Sequence, residues 1–110
     1  MLDEKTFRKH AEAALEELKK ALLAAEEDGG FEVEEQNGVL NILFEDTGAR
    51  FVITPNAPVQ QIWISALTTS FKLEWSAAAH DFVLPKDGTP LRPLVARLIQ
   101  QQLGDSTITL

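Results

Sequence analysis

Asn37-Gly38, set between Phe31–Glu35 and Val39–Glu45, constrains this chain more than any other feature. Both residues tolerate positive φ, and a two-residue turn of this kind joins neighbouring antiparallel strands. The flanks agree. Phe31-Glu32-Val33-Glu34-Glu35 alternates apolar and acidic residues, the pattern of a half-buried strand, and Val39–Glu45 returns with Leu40, Ile42 and Phe44 on one face. Asp46-Thr47-Gly48 turns the chain again into Arg50–Thr54, with Phe51 and Ile53 facing in, before Pro55 to Pro58 breaks the pattern.

The alternation then resumes. Gln60-Gln61-Ile62-Trp63-Ile64-Ser65 puts Ile62 and Ile64 on one face and Gln61, Trp63 and Ser65 on the other. Phe71-Lys72-Leu73-Glu74-Trp75 predicts a fifth strand that buries Phe71, Leu73 and Trp75. A short sixth, holding His80, Phe82 and Leu84 on one side, runs into a turn at Lys86-Asp87-Gly88.

Helices bracket this meander. Asp3 is an N-cap for a helix to about Asp28, where Phe7, Ala11, Ala14, Leu15, Leu18, Leu22 and Ala25 form one apolar stripe. Asp28-Gly29-Gly30 ends it. A second helix starts at Thr89-Pro90, turns Leu91, Leu94, Val95, Leu98 and Ile99 inward, and stops at Gly104; Pro93 falls in its first turn, where a missing N–H matters least. The tail, with Ile108 and Leu110, is free to pack back. Both helices must cover one face of the sheet, which predicts an α+β two-layer sandwich of about five to six antiparallel strands in one domain spanning residues 1–110. The other face is left to solvent, and Trp63 belongs to it.

Chemistry is narrowed by what the composition lacks. With no cysteine there is no disulfide framework, thiolate metal site or thiol nucleophile. Ser65, Ser70 and Ser76 have no identifiable base, the glycines mark turns and form no phosphate loop, and the paired carboxylates line a ridge and not a cleft, so no enzyme is expected. His10 lies off the apolar stripe and reads as solvated, and His80 takes no role. Eleven acids and five bases in residues 1–35 give a balance of −6, against −1 (six acids, five bases) in residues 36–110. That field repels nucleic acid and anionic lipid and attracts cations or basic proteins. The charged start and the short apolar runs fit a cytoplasmic protein without a membrane span.

In this frame the chain resembles the frataxin family, in particular its small bacterial members. The resemblance rests on Asn37-Gly38-Val39-Leu40, on Pro58 followed by Gln61-Ile62-Trp63-Ile64-Ser65, on Lys72-Leu73-Glu74-Trp75 and on Asp87-Gly88, in order along almost the whole chain. It implies a non-enzymatic, iron-binding role in iron–sulfur cluster assembly and iron homeostasis. Iron, Fe2+ or Fe3+, would be held weakly by surface carboxylates, and the protein, a monomer without metal, would dock on a cysteine desulfurase and scaffold complex. The tryptophan of the family, here Trp63, contributes to that docking.

Two sets of residues carry the expected sites. Glu26, Glu27, Asp28, Glu32, Glu34 and Glu35 are the metal candidates, since oxygen ligands suit hard cations. Lys19, Lys20, Leu23 and Ala24 interrupt the acidic face of the first helix, so no metal role is carried to Glu12, Glu16 and Glu17. Trp63 is the partner-binding anchor, with Asn56, Gln61 and Lys72 supplying polar and cationic contacts around it. Two readings remain beside this one: an acidic α+β protein-interaction domain with no metal role, and ferrous iron oxidation by bound iron.

Overall fold

In the computed structural model, which describes residues 2–105 and 107–110, the chain runs α1 (Glu4–Gly29), β1 (Phe31–Gln36), β2 (Val39–Phe44), β3 (Arg50–Asn56), a 3-10 turn (Ala57–Val59), β4 (Gln61–Ala66), β5 (Thr69–Ser76), β6 (Asp81–Val83) and α2 (Leu91–Leu103). The side chain of Asp28 lies outside that description. The six strands form one antiparallel sheet in the order β1-β2-β3-β4-β5-β6. The architecture is the expected α+β sandwich.

Local chemistry sets the helix ends. The Asp3 carboxylate accepts from the Thr6 N–H at 2.7 Å, and Gly30, at φ 72°, closes α1 in the left-handed conformation. Along α1, Phe7, Ala11, Leu15, Leu18 and Leu22 are buried, while Ala14 and Ala25 are half-buried. Leu91, Leu94, Val95, Leu98 and Ile99 are all buried on α2. The core lies between this helical layer and Phe31, Leu40, Ile42, Phe44, Phe51, Ile53, Ile62, Ile64, Ala66, Leu73 and Phe82 of the sheet. Ile108 joins it, and its carbonyl accepts from Gln100 Nε2 at 2.7 Å, so the tail does pack back.

Several boundaries depart from the sequence reading. β3 continues through Pro55 to Asn56, pairing Pro55 with Ile62 and Asn56 with Gln61. Its pairing with β2 has stopped at Ile53, so beyond that point a missing N–H removes nothing from a ladder on that side. Between β4 and β5 the turn is Leu67-Thr68 with φ 53° and 60°, a two-residue hairpin made without glycine or asparagine. His80 is not in β6: it sits in the preceding turn at φ 52°. Phe71 and Trp75 are half-buried, and only Leu73 of that trio is fully enclosed, because Phe71 and Trp75 lie toward the two ends of β5.

Candidate functional site: the open sheet face and its acidic edge

Register places the outward side chains in rows. Thr54, Trp63 and Lys72 are directly opposite one another across β3, β4 and β5. The next row is Asn56, Gln61 and Glu74, and the one on the other side is Val52, Ser65 and Ser70. Every residue of these rows is half-buried or exposed, whereas the alternate residues Ile53, Ile62, Ile64 and Leu73 are buried. The sheet therefore has one face under the helices and one face bare.

Asn56, Gln61, Trp63 and Lys72 come together on that bare face. The Trp63 indole N–H donates to Gln61 Oε1 at 2.8 Å, and Gln61 Nε2 donates to Glu74 Oε2 at 3.1 Å. Lys72 Nζ lies 5.0 Å from the Trp63 ring centroid, within cation–π range. Trp63 is thus half-buried and held from two sides, with its polar atom already satisfied. What it offers outward is ring surface.

Three further residues of this face escaped the sequence reading. Glu74 orients Gln61, and its signal was the period of two that puts it beside Lys72. Leu43 and Val52 are half-buried apolar residues on the bare side of β2 and β3. Their signal was also present: Val39-Leu40-Asn41-Ile42-Leu43-Phe44 and Phe51-Val52-Ile53 are nearly continuous in apolar residues, which marks strands apolar on both faces.

The acidic residues separate into two groups. β1 is an edge strand, and Glu26, from the end of α1, accepts at Oε2 from the Val33 N–H at 2.8 Å. That carboxylate covers a donor with no neighbouring strand. Glu35 faces the helical layer and pairs with Lys19 at 2.8 Å; the contact raises the ammonium above the ordinary lysine range. By contrast Glu27, Glu32 and Glu34, exposed as Glu35 is, make no hydrogen bond or ion pair among the described residues, and the last two lie on the bare face opposite Leu43 and Asn41.

Carboxylates at alternate positions of a strand, ~7 Å apart, repel by roughly half a kcal/mol in water, which an arriving cation would relieve. Among the described residues no three His, Cys, Asp or Glu side chains converge on one point. The donor set fits a hard cation, and the geometry fits loose surface association, not a cage. Also among the described residues, no helix is long and apolar enough to cross a membrane.

These features define an α+β sandwich with both helices on one face, an indole on the other, and acids along one edge. A frataxin-like domain model matches residues 1–105, and the chain belongs to that family. Among curated relatives, the iron-sulfur cluster assembly protein CyaY of Herminiimonas arsenicoxydans is 30% identical over 105 residues, covering 94% of this chain and 92% of the relative. Mitochondrial frataxin of Dictyostelium discoideum is 39% identical over 67 residues, which is 60% of this chain and 34% of that one. The solved structure of frataxin from Psychromonas ingrahamii superposes with a TM-score of 0.81 over 94% of each chain at 12% identity, a likeness of fold.

Proposed function

We propose that this protein acts in iron–sulfur cluster assembly, docking on a cysteine desulfurase and scaffold complex through the bare sheet face. Iron is then its cargo, attracted to Glu27, Glu32 and Glu34 and not enclosed. The observation that carries the reading is the constellation Trp63–Gln61–Lys72 on a face that, among the described residues, no helix covers. An indole with its N–H satisfied loses little freedom on docking and brings a large contact area, the profile of an interface anchor. Leu43 and Val52 extend the apolar area, and Asn56, Lys72 and Glu74 supply a polar rim. The name carried by the Herminiimonas relative supplies the process.

The acidic edge serves encounter as well as cargo. Its charge steers a basic surface toward the face, an effect that salt screens beyond ~10 Å at moderate ionic strength. The reading without metal shares this docking and differs only at β1. Ferrous oxidation would need two ions held about 4 Å apart, and the spread of the exposed carboxylates does not favour it.

The test is an amide NMR titration of the protein with a purified desulfurase and, separately, with Fe2+. The partner should move the signals of Thr54, Trp63 and Lys72, and iron those of Glu27, Glu32 and Glu34. Partner-induced shifts confined to α1 and α2 would refute the docking face. An unmoved β1 under iron would leave the interaction module without a metal role.

A further inference from the structure

The sequence reading left both histidines without a task, yet the fold brings them together. His10 of α1 stacks on Trp75 of β5 with ring centroids 3.9 Å apart and planes at 13°. His80, in the β5–β6 turn, meets the same indole edge-on at 5.1 Å. The two imidazoles are 5.9 Å apart, centroid to centroid, at 81°.

We propose that His10 and His80 form a two-imidazole site for a nitrogen-preferring divalent transition metal, separate from the carboxylate edge. An imidazole nitrogen binds such an ion at about 2.1 Å, which places each ring centroid about 3.2 Å from the metal. Two rings can then share one ion when their centroids lie between about 4.6 Å (ligands at right angles) and about 6.4 Å (ligands opposed). The observed 5.9 Å falls inside that window. Stacking on Trp75 uses the face of the His10 ring and leaves its in-plane nitrogens free, and among the described residues neither imidazole makes a hydrogen bond.

Both rings are held before any metal arrives. Trp75 fixes the plane of His10. The turn that carries His80 is tied by the Ala79 N–H donating to Ser76 Oγ at 3.2 Å, and the Asp81 carboxylate accepts from the Phe82 N–H at 2.7 Å. His80 occupies the left-handed region, which histidine enters more readily than most residues. Glu17 lies further along the side of α1 that carries His10 and Ala14, and it lines a cleft with Asp81, adding negative charge nearby. Two nitrogen donors with water completing the shell suit Ni2+, Co2+, Cu2+ or Zn2+ and disfavour Mg2+. Such an ion would exchange readily.

The indole makes the test direct. In a Trp63→Phe background Trp75 is the only tryptophan, and a paramagnetic ion at the imidazoles quenches it. Titration with Ni2+ should give saturable quenching that Mg2+ does not reproduce. Both His10→Gln and His80→Asn should raise the midpoint by about tenfold or more, the scale seen when a metal site loses a supporting group. His80 is exposed and asparagine keeps its backbone conformation, so the His80→Asn protein stays folded and its titration decides. No quenching up to millimolar Ni2+, the same midpoint in His80→Asn, or equal quenching by Mg2+ would overturn the site.

Discussion

Ile62 and Trp63 are neighbours in the chain and opposites in the sheet, and truncating each one should separate stability from the proposed docking. Ile62 is fully buried under the helical layer. Its replacement by alanine leaves a cavity and costs about 2–5 kcal/mol. In a domain of this size 1 kcal/mol shifts Tm by roughly 4 °C, so Ile62→Ala should lower Tm by about 8–20 °C. Trp63 has water on one side, so truncation opens no enclosed void. Trp63→Thr keeps strand propensity and loses about half the transfer energy of an aromatic ring, near 1 kcal/mol, plus a few tenths for a hydrogen bond that water replaces. The expected fall in Tm is about 5 °C. In the proposed complex the whole ring would be desolvated, and loss of a tryptophan anchor costs about 2 kcal/mol or more, a factor of ~30 in Kd. Thermal melts and calorimetric titration with a purified desulfurase read both quantities. Ile62→Ala should keep Kd within about threefold while folded, because its side chain never reaches the bare face. If Trp63→Thr melts as low as Ile62→Ala, or binds as tightly as the parent, the assignment of the two faces to two jobs is wrong.

Glu26→Ala should speed hydrogen exchange at the Val33 amide and destabilise the protein by about 1 kcal/mol, since an edge donor loses a charged acceptor; unchanged exchange at Val33 would contradict this. Replacing Leu67-Thr68 by Asn-Gly should raise stability by about 1 kcal/mol in urea melts, because both native residues hold positive φ against their side chains. Asp3, held below the ordinary carboxylate range by the Thr6 N–H, and Asp87 and Asp105, held there by the hydroxyls of Thr89 and Thr107, contribute stability above that range. That stability is lost as pH falls through their lowered folded values, so Asp→Asn changes at these positions should flatten the acid limb of stability against pH. Lys19 acts oppositely: its folded value is raised, so its contribution is present at neutral pH and is lost as pH rises through that value.

The sandwich was legible because its determinants are local. A period of two in β2, β3 and β4, glycine or asparagine at most turns, and helix caps at Asp3 and Gly104 each fix a neighbourhood without long-range information. The bare face followed from topology, and Asn56, Gln61, Trp63 and Lys72 came with it once register was known. What escaped lies between elements distant in sequence. His10 was read as solvated because nothing within a turn of α1 announces Trp75, and the pairing exists only once α1 packs along β6 and brings His10 onto Trp75. The engagement of Glu26 and Glu35 was invisible for the same reason, since a run of carboxylates looks uniform until the edge of β1 and Lys19 claim two of them.

That sorting of carboxylates bears on how the proposed cargo and partner would relate. With Glu26 and Glu35 occupied, Glu32 and Glu34 are left on the same bare face as Trp63, on a strand three places away. Strands lie about 4.8 Å apart, so the ridge and the indole are separated by about 14 Å. A standard interface covers about 800 Å² on each partner, a patch with a radius of about 16 Å. A protein centred on Trp63 therefore reaches the carboxylates at its rim. A basic group there would compete with iron for the same charges, whereas an acidic ligand of the partner would complete the metal's coordination. If docking and cargo are as proposed, they are coupled by distance alone, and the sign of the coupling is set by the charge that the partner brings to the edge of β1.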